Sequence, residues 1–147
     1  MWSASPTFQR SVGAAAPDAV PDRAVLPESR PILLIEDDAG MRLMLLLALE
    51  DAGYTVQLAE HGAEAQQQLA AVRPRLILLD MRMPVMDGPT FLQWLYSQTD
   101  IAPPPVILMT AYHELDPATR QLGLPAITKP MRIDALLELI RQHAEPE

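Results

Sequence analysis

From Pro31 onward the apolar positions follow two alternating textures: short, nearly continuous runs, and longer stretches in which they recur every three or four residues. The runs predict strands over 32–35, 54–58, 75–79, 106–109 and 126–128. The periodic stretches predict helices over about 39–52, 61–72, 89–97, a short one near 117–122, and 133–143. Gly53 follows the first helix as a stop, because glycine tolerates the left-handed backbone that ends helices. Strands alternating with helices are the pattern of successive βα units on a parallel sheet. Near-continuous apolarity in the first, third and fourth runs suits strands covered by helices on both faces.

Two helices carry a further signal. In the last, Ile133, Leu136, Leu137 and Ile140 share one face and Asp134, Glu138 and Arg141 the other, as expected of an amphipathic outer helix. In the first, Met41, Met44, Leu45, Ala48 and Ala52 are placed on a buried face, with Leu43, Leu46 and Leu47 pointing away from it. A second apolar face predicts a contact with a partner helix or with another copy in a homodimer.

Residues 1–30 show neither period and contain Pro6, Pro17, Pro21 and Pro27 among Ala and Ser, which predicts a flexible tail. The folded domain is expected over 31–144, with 145–147 as a short C-terminal tail. A chain of 147 residues has room for one core. Its formal net charge of −8 argues against direct nucleic-acid binding, which needs clustered Lys and Arg. With no cysteine, disulfides, thiolate metal sites and cysteine nucleophiles are excluded, and a cytoplasmic location fits. No apolar run approaches the roughly 20 residues of a membrane span.

Open parallel sheets collect their chemistry beyond the carboxyl ends of the strands. Here the first strand ends in Glu36-Asp37-Asp38, the third in Asp80, the fourth in Thr110 and the fifth in Lys129-Pro130. Carboxylates brought together repel unless a cation neutralises them. All-oxygen donors suit Mg²⁺ rather than zinc. Asp80 can then act as a carboxylate nucleophile toward a phosphoryl group, with Lys129 as a point-charge partner and Thr110 as a hydrogen-bond donor.

These residues resemble the receiver domains of two-component response regulators. The likeness rests on Ile32 to Asp38 (ILLIEDD), Asp80 to Gly88 (DMRMPVMDG), Thr110-Ala111 and Lys129-Pro130, in that order. The resemblance implies a flavodoxin-like, doubly wound five-stranded parallel sheet of order 2-1-3-4-5. It implies phosphorylation of Asp80 by a sensor histidine kinase or histidine phosphotransfer protein, with Thr110 and Lys129 on the phosphoryl group. Mg²⁺ would be held by Asp37, Asp80 and the backbone carbonyl of Arg82, with Glu36 helping through water. A cis Lys129–Pro130 bond is implied as well. Arg82 and Tyr112 resemble positions that tune phosphoryl lifetime, and the first helix resembles part of the kinase-docking surface.

The chain departs from the family in two places. The stretch between Thr110 and Lys129 is about three residues short, and Asp116-Pro117 and Pro125 restrict the fourth helix, which is expected to be shortened. Ala126 stands where an aromatic switch residue normally precedes the lysine. The expected function is therefore a single-domain response regulator signalling through protein contacts, with a pseudo-receiver, a constitutive interaction module, as the alternative. A phosphatase of the haloacid-dehalogenase kind needs a second Asp two places after the nucleophile, where Arg82 stands, and a transcription factor is disfavoured by the charge. Elsewhere, Asp38 and Asp87 read as helix-start residues. Met81, Met83 and Met86 read as packing around the loop, and His61, His113 and His143 as structural or surface residues.

Overall fold

The computed structural model describes residues 30–100, 102–111 and 115–146. Residues 1–29 of the expected N-terminal tail, Tyr112 and His113 lie outside the described residues. The compact unit from Pro31 to Pro146 alternates strands β1 (Ile32–Ile35), β2 (Val56–Ala59), β3 (Leu76–Asp80), β4 (Val106–Ala111) and β5 (Ala126–Lys129) with helices. These are α1 (Ala39–Asp51), α2 (Gly62–Leu69), α3 (Gly88–Ser97), α4 (Pro117–Gln121) and α5 (Ile133–His143). All strand pairings are parallel and the sheet order is β2-β1-β3-β4-β5.

The two-residue period of a strand divides the core into two layers. Leu33, Ile35, Ile77, Leu79, Val106 and Leu108 pack with Phe91, Leu92 and Leu95 of α3 and Ala65 of α2. Ile32, Leu34, Leu76, Leu78, Ile107 and Met109 pack with Leu45 and Leu49 of α1 and Leu136 and Ile140 of α5. Each fully buried Leu, Ile or Phe contributes roughly 1.5–3 kcal/mol relative to exposure. Helical cover on both faces explains why the central strands read as unbroken apolar runs.

Sequence logic also sets the helix ends. Asp38 caps α1 by accepting from the Met41 N–H at 2.8 Å, and Asp87 caps α3 by accepting from the Thr90 N–H at 2.9 Å. His61 caps α2 by accepting from the Glu64 N–H at Nδ1, while the Glu64 carboxylate accepts from the N–H of Glu60, the residue before the cap, so two N–H groups at the helix start are satisfied. Gly53, with φ +97°, terminates the turn after α1. As the prolines of its segment predict, α4 is only 5 residues long.

One expectation is corrected. The buried stripe of α1 centres on Leu45 and Leu49, rotated toward Leu49 from the face that periodicity selects. Met44 is consequently 43% exposed beside Leu43 (55%) and Leu47 (57%), while Leu46 is only half-buried. The helix is apolar on nearly every side, so periodicity alone left the direction of its core face undetermined.

Candidate functional site

The sheet order reverses at β1, which lies between β2 and β3, and a crevice opens at such a point beyond the strand carboxyl ends. Glu36 follows β1 directly and Asp80 ends β3, so register alone brings their carboxylates together. Both are buried, at 1% and 3% exposure. Asp37 is exposed at the mouth. One ligand oxygen from each of Glu36, Asp37 and Asp80 lies within 4.8 Å of the other two.

Lys129 ends β5 and reaches across β4 into this crevice. Its Nζ donates to Asp80 Oδ1 at 3.1 Å and to Glu36 Oε1 at 3.2 Å. Asp80 Oδ1 also accepts from the Arg82 N–H at 3.2 Å, and Glu36 Oε2 from the Asp38 N–H at 3.2 Å. Thr110, 6% exposed, donates its hydroxyl to the Ala111 carbonyl at 2.9 Å. The Lys129–Pro130 peptide bond is cis.

Ionisation in the crevice reflects crowding of like charges. Burial, then the Asp80 charge, raises Glu36 to about 7 against the opposing pull of the Asp38 N–H and Lys129. Asp37 is raised by desolvation and by its hydrogen bond and repulsion with Asp80. For Lys129 burial pulls the pKa down, but the hydrogen bonds and charges of Asp80 and Glu36 outweigh it, so the net shift is upward. Among the described residues three carboxyl groups therefore face one ammonium, a site that gains from a further cation.

Two supporting features were not evident from the sequence. Arg42 donates from Nη1 to the carbonyls of Glu36 at 2.9 Å and Asp37 at 3.3 Å, tying down the loop that presents both carboxylates. Its spacing after Asp38, one turn into the helix, was the available signal. The loop after Asp80 is braced by close packing: a Cβ on Gly88 would meet Met81 at 2.6 Å, and one on Gly62 would meet Met86 at 2.9 Å. Between them, Met86 N–H donates to the Pro84 carbonyl at 2.7 Å around Val85, whose φ is +68°. This is a γ-turn of the strained sign.

A five-stranded parallel sheet in the order 2-1-3-4-5, with an acidic crevice at its switch point, defines a flavodoxin-like α/β domain. The chain belongs to the response regulator receiver domain family, whose model matches residues 32–141. It is 35% identical over 114 residues to the DNA-binding transcriptional regulator NtrC of Escherichia coli, a match covering 76% of this chain and 24% of NtrC. It is 34% identical to the sporulation initiation phosphotransferase F of Bacillus subtilis, over 76% of this chain and 91% of that protein. The chain thus spans about a quarter of the first curated relatives it matches, but nearly all of the sporulation protein. Among solved structures it is similar to the signal receiver domain of a signal transduction histidine kinase from Syntrophus aciditrophicus. That match has a TM-score of 0.68 and 36% identity, covering 77% of this chain and 88% of that one. The chemotaxis response regulator CheY4 of Vibrio cholerae matches with a TM-score of 0.67 and 29% identity, covering 77% and 97%.

Proposed function

We propose that the domain accepts a phosphoryl group on Asp80 from the phosphohistidine of a sensor kinase or phosphotransfer protein, and signals by protein contact. The observation that supports this reading most is the crevice itself: a buried Asp80 within hydrogen-bond reach of Lys129, beside Glu36 and Asp37. Receiver domains bind Mg²⁺ at an acidic pocket, and the all-oxygen donor set fits that ion. Asp37, Asp80 and the Arg82 carbonyl would hold it, with Glu36 assisting. Bound there, Mg²⁺ supplies neutralisation of the charge on the crowded oxygens.

An Asp80 carboxylate oxygen attacks phosphorus and forms an acyl phosphate, while the donor P–N bond breaks and its electron pair returns to the imidazole nitrogen. Lys129 keeps its proton and remains as counter-charge to the transferred group. The Thr110 hydroxyl exchanges its bond to Ala111 for a phosphoryl oxygen. Arg82 and Tyr112 tune how long the acyl phosphate survives. Leu43, Leu46 and Leu47 on α1 contact the donor or a second copy of the domain. Polar replacement of all three slows transfer from a phosphohistidine donor, whereas unchanged transfer and unchanged self-association contradict that surface.

An acyl phosphate is reduced by borohydride to an alcohol, which converts a phosphorylated aspartate to homoserine. Peptide mapping after treatment with phosphoramidate, Mg²⁺ and borohydride should therefore find homoserine at position 80. Recovery of unaltered Asp80, or homoserine elsewhere, contradicts the assignment. A second reading, the pseudo-receiver, draws support from Ala126, exposed on the edge strand β5, since alanine at that position carries no ring whose rotation could report on the site. On that reading partners bind equally well with and without phosphodonor.

A further inference from the structure

A groove of about 460 Å³ runs between α3 and α4, within the roughly 300–1,000 Å³ typical of binding pockets. Its walls are apolar: Leu92 and Tyr96 from α3, Ala118 and Leu122 from α4, with Gln93 and Asp116 among its polar lining. Tyr96 is 38% exposed and Leu122 45%, so large apolar side chains stand open to solvent at a concave surface. The brevity of α4 contributes to this exposure, since its last turn closes at Gly123 with φ +67°.

Charge selects the occupant. No charged side chain lies on α3; Asp87 caps its start, Asp100 follows its end, and Asp116 opens α4. The base on α4 is Arg120, whose Nε donates to the Leu115 carbonyl at 3.1 Å. Among the described residues Asp116 is the one charged side chain lining the groove, and this acidic, otherwise uncharged trough, on a chain of net charge −8, repels nucleic acid and anionic membrane. It attracts a segment that is apolar on one side and basic on the other. Residues 89–97 of α3 run for roughly 12 Å at 1.5 Å per residue, enough to face two turns of a docked helix presenting i, i+3 and i+4 anchors.

We propose that the α3–α4 groove docks a basic amphipathic helix of a partner protein. The site lies apart from the acidic crevice and does not depend on Asp80 chemistry. The test titrates the ¹⁵N-labelled full chain with two synthetic helical peptides of leucine and lysine, or of leucine and glutamate, otherwise identical, and follows amide shifts and fluorescence anisotropy. The leucine–lysine peptide should bind, with shifts concentrated in residues 89–97 and 116–122. Leu122→Lys, at a solvent-exposed position, should weaken it roughly tenfold, about 1.4 kcal/mol, with unchanged circular dichroism. Asp80→Asn should leave binding as it was, which separates this site from phosphoacceptor activity. No binding, equal binding of the leucine–glutamate peptide, shifts confined to residues 43–47, or indifference to Leu122→Lys would each overturn the proposal.

Discussion

The two ends of the same β-sheet solve opposite problems. At the amino ends of the strands, backbone groups close neatly: Ile32 N–H bonds to Thr55 O, Arg75 N–H to Pro31 O and Ile77 N–H to Pro105 O. Arg75 also lies 5.5 Å from the Tyr54 ring centre and donates from Nε to Glu145 O at 2.9 Å, with Glu145 N–H returning to Arg75 O. At the carboxyl ends, Glu36, Asp37 and Asp80 crowd around one lysine. The first end contributes stability; the second costs stability and holds reactive groups in place. Strained or mutually repelling groups at a site are sustained by a core that over-determines them.

The largest effect should come from the shared interior. Phe91, fully buried beneath the sheet, should cost about 3–5 kcal/mol when replaced by alanine. Chemical denaturation measures this, and a loss well under that range would show a core looser than its packing indicates. At the amino ends, Arg75→Ala removes a cation–π contact and hydrogen bonds, and should cost about 1–2 kcal/mol.

The carboxyl ends should answer with the opposite sign. Glu36→Gln relieves a repelling buried charge and should raise the stability of the metal-free chain near pH 8 by about 0.5–2 kcal/mol. The pH dependence follows from the same shift. Glu36 is raised from 4.5 to about 7, so the folded state binds its proton more tightly than the unfolded chain. Its contribution is fully present below about pH 4.5 and is lost as pH rises through about 7. Denaturation curves across that window should show wild type losing stability relative to Glu36→Gln; parallel curves would mean that the carboxylates do not repel one another as their crowding requires.

Val85 offers the smallest effect, again at the carboxyl ends. A β-branched residue at φ +68° and 79% exposed carries backbone strain that glycine lacks. Val85→Gly should stabilise by about 0.5–1 kcal/mol after glycine's greater unfolded-state entropy is subtracted. A thermal shift in the other direction would mean that the valine packs against something the free chain holds.

The same contrast governs what was legible in the sequence. Strand ends were legible because an apolar run that stops abruptly in Glu36-Asp37-Asp38, Asp80 or Lys129 must hand its charge to the rim of the sheet, and parallel register carries those ends to one edge. Asp38, Asp87 and Gly53 were legible because capping is local. The orientation of α1 was not: apolar residues surround it, and the neighbouring sheet, not its own sequence, selects Leu45 and Leu49 over Met44. The α3–α4 groove was hidden because it depends on where two helices lie relative to each other. Arg42 was hidden because a surface arginine and one bonded to loop carbonyls look alike in a sequence.

On the proposed function, the stability lost at the carboxyl ends serves an acyl phosphate on Asp80. Intact mass after incubation with acetyl phosphate and Mg²⁺ is the decisive check. Wild type should carry a single phosphoryl adduct that is absent from Asp80→Asn and from a sample depleted of divalent cations. An adduct that persists in Asp80→Asn, or none on a wild type that Mg²⁺ demonstrably stabilises, would refute the proposal.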